Sequence, residues 1–196
     1  MKLKSKRTDI IPLSLQELKS LIKSRANFET KSDFTVTGIE LPEAHKEELT
    51  DIMERNANAW CNKNKDYLFY TLWIMVERET KTIIGQFTFN GLPGENGEVE
   101  VFFSIENPHR QKGFATEVME KILAWGTVSK LFKVVLIEAD FDNKAAMASL
   151  KKLGFKRAEV DDEEEELKST KFYKVICPKE IDESELDFDS FKDGCD

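Results

Sequence analysis

Cysteine, histidine and long apolar runs are all scarce in this chain of 196 residues. Its three cysteines, Cys61, Cys177 and Cys195, are odd in number and lack metal-ligand spacing, which favours a reduced, cytoplasmic protein without disulfides or metal. The longest apolar run, residues 67–76, is too short to cross a bilayer. The basic N-terminus lacks the apolar segment of a secretory signal, so we expect neither export nor a membrane partner.

Acidic residues outnumber basic ones by 37 to 29, but the excess is local. Six acids occupy residues 161–166, and residues 180–196 hold eight acids and one lysine; the rest of the chain carries 28 basic and 23 acidic residues. We therefore predict one domain at 1–178, mildly basic outside its acidic loop, and an acidic tail at 179–196. The basic residues lack the density and aromatic interleaving of a nucleic-acid surface, so no nucleic-acid partner is expected.

Hydrophobic periodicity predicts helices before a run of strands. The first helix follows a capping-box pattern that begins at Ser14 and has Glu17 at its third position. Residues 34–41 look extended, and a second helix begins at Pro42 and ends near Trp60. Strands are expected at 9–13, 67–78, 82–90, 98–105, 133–139, 155–160 and 168–176.

Strands and helices alternate in the last part of the chain. Apolar residues at helical spacing mark an amphipathic helix after strand 98–105: Ala115, Val118, Met119, Ile122 and Leu123. A shorter helix is then capped by Asp142 or Asn143 and ended by Gly154 in a left-handed conformation. These elements predict a mixed α/β fold with a largely antiparallel, twisted sheet flanked by helices.

The sequence HRQKGFAT, residues 109–116, places a lone glycine among donors where the amphipathic helix begins. The first turn of a helix has free N–H groups and partial positive charge, and such an end binds phosphate. Gly113 would let an anion approach the backbone, while Arg110 and Lys112 add positive charge. The dinucleotide fingerprint and the nucleotide-triphosphate loop are both absent. An ordinary glycine turn before a helix is the alternative interpretation.

The pattern R-x-x-G-x-A at 110–115, between a strand and a helix, resembles the acyl-CoA loop of the GCN5-related N-acetyltransferase (GNAT) family. Residues 142–155 are similar to the Asn-led helix that ends in Gly-Phe in such enzymes. Residues 97–123 resemble the subgroup that acetylates ribosomal-protein N-termini. The resemblance covers about 8–176, has its specific motifs in 98–155, and implies the acyl-CoA N-acyltransferase fold.

The resemblance also implies a site for acetyl-CoA as cosubstrate. The diphosphate would lie on backbone N–H groups of residues 111–116, and the pantetheine arm would run beside the strand that ends at Phe102 and Phe103. Asn143 would hydrogen-bond the pantetheine or the acetyl group; a plain helix cap is its alternative role, and the two are compatible. The implied acetyl-CoA-binding residues are Phe102, Phe103, Arg110, Gln111, Lys112, Gly113, Phe114, Ala115, Thr116 and Asn143.

Amine acetylation needs a base that removes a proton from the acceptor. Glu100, on the strand where related enzymes commonly place a carboxylate, is the candidate catalytic base, and it shares a strand face with Glu98 and Phe102. The alternative is that both glutamates form the solvated face of the strand. The tyrosine that such enzymes often use as an acid is replaced by Leu150. Tyr173 is the candidate catalytic substitute, with sheet packing as its alternative role.

We therefore expect an acetyl-CoA-dependent N-acetyltransferase that acts on a primary amine, either a protein N-terminus or a small molecule. Attack would be direct, with general-base assistance and without a metal. A non-catalytic acyl-CoA sensor and an unrelated interaction domain are the alternatives. Residues 28–64 would shape the acceptor cleft, and the acidic loop and tail would suit a cationic acceptor. The chain is expected to be a monomer or a homodimer.

Overall fold

The computed structural model describes residues 1–158 and 169–177. The predicted acidic loop 161–166, the acidic tail 179–196 and Cys195 lie outside the described residues. The described chain forms two compact units: Met1–Leu92 with Phe102–Lys121, and Pro93–Val101 with the described part of Ile122–Asp196. The predicted single domain at 1–178 stays a prediction.

Unit 1 contains an antiparallel sheet of short strands. Strand β1 (Leu3–Lys4) pairs with β2 (Thr8–Pro12), β2 with β3 (Trp73–Glu77), and β3 with β4 (Thr82–Phe89). The next strand along the sheet is β5 (Glu98–Ile105), whose carboxyl half belongs to unit 1. The end of β5 is fastened to β4 because the N–H of Glu106 donates to the carbonyl of Ile84, at 2.9 Å.

Three helices accompany these strands in unit 1: α1 (Leu15–Lys23), α2 (Arg25–Lys31) and α3 (Glu43–Arg55). The predicted capping box is present, because the Ser14 side chain accepts from the N–H of Glu17 and the Glu17 carboxylate accepts from the N–H of Ser14. The helices and one sheet face share an apolar core: Leu13, Leu18, Leu21, Phe28, Leu41, Leu49, Met53, Leu72, Ile74, Val76 and Ile83.

Unit 2 has a mixed sheet. The amino half of β5 pairs in parallel with β6 (Val134–Asp140), which pairs antiparallel with β8 (Ser169–Val175), and β8 pairs antiparallel with β7 (Lys156–Arg157). Strand β6 is buried over Val134–Ile137, as expected for a continuous apolar strand. Helix α5 (Lys144–Lys152) connects β6 to β7.

Helix α4 (Phe114–Ser129) follows β5 and contributes to both units along its length. Its Gly126 lies in unit 2, where an added Cβ would come within 2.3 Å of the Phe132 ring. The chain therefore approaches the helix more closely there than any larger residue would permit. Within the described ranges, no helix combines the length and the apolar character needed to cross a bilayer.

The predicted fold class is confirmed: the described chain is mixed α/β, with largely antiparallel strand pairing and several helices. Residues 34–41, which looked extended, form no strand, and helix α2 in the segment before them was not predicted.

The predicted strand 67–78 begins only at Trp73, because a 3₁₀ turn occupies Asp66–Phe69. The indole N–H of Trp73 donates to the carbonyl of Leu68 at 2.8 Å and holds this turn against the strand. Leu68 and Phe69 are buried there. The apolar run in the sequence therefore indicates buried residues and not one continuous strand.

Candidate functional site

The loop before α4 exposes a row of backbone donors. Two residues in it have positive φ, Gln111 at 60° and Gly113 at 81°. The N–H groups of residues 111–116 make no hydrogen bond within the described part of the chain. The first helical bond runs from the N–H of Glu117 to the carbonyl of Gly113, at 3.1 Å. The loop therefore presents consecutive unpaired donors at a helix start, the arrangement that binds anions.

A residue that the sequence did not single out holds this loop. The Arg7 guanidinium donates from Nη2 to the carbonyl of Lys112 at 3.0 Å and from Nε to Glu117 Oε2 at 2.7 Å. Its Cζ lies 4.0 Å from the centre of the Phe114 ring. One side chain near the start of β2 thus contacts the loop and the first turn of α4.

Glu117 receives two further hydrogen bonds from the same N-terminal turn. Its Oε1 accepts from the Ser5 hydroxyl and from the N–H of Arg7, both at 2.6 Å. Burial alone would raise the pKa of Glu117, but these hydrogen bonds and the Arg7 charge outweigh burial and lower the pKa below its ordinary value. The carboxylate is therefore ionised at neutral pH and is compensated locally.

Basic residues of the loop lie at the surface. Arg110 is exposed, and its Nε donates to the carbonyl of Ile105 at 2.8 Å, which ties the loop to the end of β5. Lys112 is exposed. The ring of His109 lies edge-on to Phe114, with centroids 6.4 Å apart. Arg110 and Lys112 therefore place positive charge at the surface of the loop.

The two phenylalanines at the strand end differ in their surroundings. Phe102 is 49% exposed, whereas Phe103 is half-buried and stacks on Phe87, with ring centroids 6.4 Å apart and an interplanar angle of 16°. Neighbouring side chains of a strand point to opposite faces, so Phe103 packs inward in unit 1 and Phe102 offers an apolar surface to solvent.

In unit 2 the two predicted catalytic residues share one face of the sheet. Glu100 is the register partner of Leu136 on β6, Leu136 of Tyr173 on β8, and Tyr173 of Lys156 on β7. Paired residues project to the same face of a sheet. Strand β6 lies between Glu100 and Tyr173, and adjacent strands lie about 4.8 Å apart, so the backbones of these two residues are separated by two such spacings. The half-buried Tyr173 ring has Lys156 Nζ 6.0 Å from its centre.

The Glu100 side chain is not solvated. It is only 7% exposed, so the alternative of a solvated glutamate was wrong for this residue. Its Oε1 lies 4.0 Å from Nζ of Lys171, a side chain that is also largely buried. Lys171 pairs with Glu138 in register and therefore projects to the same face as Glu100. The structure thus adds a cation that the sequence did not associate with the candidate base.

Asn143 caps α5. Its Oδ1 accepts from the N–H of Ala146 at 3.1 Å, while the side chain remains exposed. This observation confirms the helix-cap role, and the amide NH₂ is still free to donate, because it makes no hydrogen bond within the described chain. Leu150, in place of the usual tyrosine, is 5% exposed. Ser149 donates to the carbonyl of Ala145 at 2.9 Å, so its hydroxyl is used inside the helix.

The structure divides the predicted residues between the two units. Unit 1 contains the loop residues 110–116 together with Phe102 and Phe103, and unit 2 contains Glu100, Asn143 and Tyr173. Sequence reasoning missed Arg7, Glu117 and Lys171, the charged residues that contact the predicted ones. The only signal for Glu117 was an acidic residue in the first turn of a helix, and a distant arginine and a lysine on an alternating strand carry no signal by themselves.

The acetyltransferase (GNAT) domain model matches residues 7–156. This chain belongs to the GNAT acetyltransferase family. The resemblance drawn from the loop and the Asn-led helix is therefore confirmed.

Two curated relatives are known as uncharacterized N-acetyltransferases of Bacillus subtilis (strain 168). YjdG is 31% identical over 93 residues, which are 47% of this chain and 55% of that protein. YoaA is 32% identical over 89 residues, which are 43% of this chain and 48% of that protein. The chain thus spans about half the length of the curated relatives it matches.

Solved structures share the fold at low sequence identity. RimL, a ribosomal-protein acetyltransferase solved in complex with coenzyme A, has a TM-score of 0.62 at 9% identity, over 89% of this chain and 98% of that one. A spermidine N-acetyltransferase from Vibrio cholerae has a TM-score of 0.58 at 14% identity, over 87% of this chain and 94% of that one. These GNAT neighbours agree with this chain in fold.

Proposed function

We propose that this GNAT-family chain transfers the acetyl group of acetyl-CoA to a primary amine. The observation that carries the proposal is the run of N–H groups at residues 111–116 without acceptors in the described chain. A helix start that is left open in this way can bind an anion, and the diphosphate of CoA supplies anionic oxygens for several donors at once.

The loop has room for such a ligand. Among the described residues outside its immediate chain neighbours, a Cβ built on Gly113 would meet only Arg7 Nη2 within 4 Å, at 3.7 Å. The space above this residue is therefore open to an anion that approaches the backbone. Arg110 and Lys112 would add long-range attraction for the phosphates.

The pantetheine arm is assigned to the carboxyl half of β5. The ladder between β5 and β6 covers Glu98–Glu100 and ends there, although β5 continues to Ile105. An extended pantetheine could use backbone groups near Phe102 and Phe103 that this ladder does not occupy. The free amide NH₂ of Asn143 is our candidate donor to the pantetheine or the acetyl end.

Glu100 is the proposed general base. Acetyl-CoA supplies a thioester whose carbonyl carbon the amine nitrogen attacks, so that an N–C bond forms, the C–S bond breaks and CoA leaves as a thiolate. An amine arrives largely as an ammonium at neutral pH, and the carboxylate of Glu100 would accept the proton it loses. Tyr173, on the same sheet face, is a proposed donor to the leaving sulfur.

The acceptor is proposed only as a primary amine, either a protein N-terminus or a small polyamine. RimL and the Vibrio cholerae protein carry these two acceptor classes in their names.

A second candidate function is a non-catalytic acyl-CoA sensor. The buried Leu150 favours it, since this side chain has no proton to give and stands where such enzymes often have a tyrosine. A sensor would bind CoA at the same loop but would release no thiol with any amine.

The first experiment measures binding and turnover together. Acetyl-CoA at a hundredfold excess over Kd should stabilise the chain by about 2.7 kcal/mol, and amines from the two acceptor classes should release free CoA thiol. Stabilisation without thiol release across both classes would favour the sensor. Absence of stabilisation would overturn the diphosphate site itself.

The base is tested by Glu100→Gln. We expect turnover to fall by about 10²–10⁴-fold, with acetyl-CoA affinity within twofold of the unaltered chain. Glu98→Gln is the matched control, because this glutamate lies two residues earlier on the same strand face and is not proposed to act in the reaction. Equal rates for both variants would return Glu100 to a purely structural role.

A further inference from the structure

We propose that Arg7 is a positioning residue for the acyl-CoA loop, acting through the peptide bond between Lys112 and Gly113. The inference rests on the proposed diphosphate site and assigns it a residue about a hundred positions away in sequence. Arg7 does not need to touch the ligand. Its effect is to fix the direction of one backbone donor and to compensate one nearby negative charge.

The direction of the donor follows from peptide geometry. In a trans peptide the carbonyl and the next N–H point to opposite sides, and the described chain contains no cis peptide bond. Arg7 Nη2 donates to the carbonyl of Lys112 at 3.0 Å. The N–H of Gly113 is therefore directed away from Arg7, toward the open side of the loop.

The charge compensation concerns Glu117. A carboxylate in the first turn of a helix is favourable for the helix dipole, but it repels a diphosphate bound at the same end. Arg7 Nε lies 2.7 Å from Glu117 Oε2, and the Ser5 hydroxyl and the N–H of Arg7 bind Oε1. These bonds direct the carboxylate to the N-terminal turn and neutralise it there.

An arginine suits this position better than a lysine. The planar guanidinium reaches two acceptors at once, the Lys112 carbonyl and the Glu117 carboxylate, and it also lies over the Phe114 ring at 4.0 Å. A single ammonium cannot satisfy this geometry, because it lacks the fork and the flat face. The contact set therefore depends on the shape of the side chain as well as on its charge.

Arg78 provides a matched control on the same N-terminal turn. Its guanidinium donates to the carbonyls of Thr8 at 2.8 Å, Ser5 at 3.1 Å and Lys6. It has no contact with Lys112 or Glu117 among its described hydrogen bonds. Arg78→Met should therefore loosen the turn without removing either effect that we assign to Arg7.

The experiment compares Arg7→Met, Arg7→Lys and Arg78→Met by calorimetric titration with CoA and by melting temperature. We expect Arg7→Met to weaken CoA binding about tenfold and Arg7→Lys to have an affinity between those of Arg7→Met and the unaltered chain. Arg78→Met should bind CoA within twofold of the unaltered chain, although its melting temperature should fall about as much as that of Arg7→Met. Amide NMR should show that CoA shifts the Gly113 resonance less in Arg7→Met than in Arg78→Met.

Two outcomes would overturn the inference. Arg7→Met could bind CoA as tightly as the unaltered chain, or Arg78→Met could lose as much affinity as Arg7→Met for the same thermal destabilisation. If the unaltered chain itself fails to bind CoA, both the proposed function and this inference are wrong. If the unaltered chain binds CoA and the variants give either outcome above, only the role of Arg7 is wrong, so the two failures are distinguishable. Arg7→Lys keeps the test available if Arg7→Met does not fold.

Discussion

The starts of helices α4 and α5 use opposite arrangements of the same backbone groups. In α5 two N–H groups of the first turn are satisfied within the chain: Lys144 donates to the carbonyl of Asp142, and Ala146 donates to the side chain of Asn143. In α4 the N–H groups of residues 111–116 find no acceptor in the described chain. One helix start is closed by a local cap, and the other is left open.

The difference teaches where each arrangement comes from. The α5 cap uses a side chain three residues from the donor it satisfies, so it is local and forms with the helix. The α4 start is arranged by Arg7, which lies far away in sequence and orients a carbonyl instead of satisfying an N–H. An open helix start leaves its N–H groups available to water or to an anionic ligand, which is why we assign the ligand to α4.

Among changes at the two helix starts, the largest expected effect concerns Gly113, whose φ of 81° suits the open loop. Gly113→Ala places a Cβ in the space assigned to the diphosphate and strains a left-handed residue, and we expect CoA affinity to fall at least tenfold. Calorimetric titration measures the loss.

Gly38→Ala is the control for Gly113→Ala. Gly38 has a similar φ of 72°, and an added Cβ there would meet no described residue beyond its chain neighbours within 4 Å. Gly38→Ala should therefore have the same conformational cost, about 1 kcal/mol, at a position where no ligand is proposed. If CoA affinity falls equally in both variants, the loss is not caused by a Cβ in the proposed diphosphate site at Gly113.

The next effect concerns Glu117, which occupies the first turn of the open helix. Its pKa is lowered in the folded chain, so the stability it contributes is present above the ordinary pKa of 4.5 and is lost as the pH falls through the folded pKa. We expect Glu117→Gln to lower the free energy of unfolding by about 1–2 kcal/mol at pH 7.

The difference between Glu117→Gln and the unaltered chain should shrink as the pH falls below about 4.5 and should vanish under strongly acidic conditions. Denaturant titrations at several pH values measure this trend. A difference that stays constant from pH 7 to pH 3 would contradict the assigned role of the charged carboxylate.

The smallest expected effect concerns Asn143, which caps the start of helix α5. Asn143→Ala removes the cap of α5 and should cost about 1 kcal/mol of stability. Asn143→Asp keeps a capping oxygen but removes the amide NH₂, so it should retain stability while weakening acetyl-CoA binding a few-fold.

Thermal melts and KM for acetyl-CoA separate these two roles of Asn143. If Asn143→Asp keeps both stability and KM, the residue is a helix cap and nothing else. If Asn143→Ala is as stable as the unaltered chain, the cap itself contributes little.

Much of the fold was predictable, because its signals are local. The caps at Ser14 and Asn143 and the left-handed Gly154 lie within a few residues of the helices they begin or end. The strand predicted at 67–78 was wrong in its first half because the signal there is not local. A 3₁₀ turn occupies that half, and the indole N–H of Trp73 donates to the carbonyl of Leu68 within it.

For the candidate site, the sequence predicted which residue types take part and on which helix, strand or loop each one lies. Alternation placed Glu100 on one face of β5, but whether that face is solvated depends on what covers it, and the structure shows a buried carboxylate beside Lys171. Pairing between Glu100 and Lys171 needs three strands in register, and periodicity along a single strand carries no information about register between strands.

The sequence by itself determined the family motif, the glycine at which the loop turns and the helix that follows it, because these depend on neighbours along the chain. Tertiary structure decided that Arg7 orients the loop, that Glu117 is compensated and that Glu100 is buried with a cation. The physical reason is that backbone conformation responds to nearby residues, whereas the direction of a donor and the environment of a charge depend on whatever the fold brings into contact.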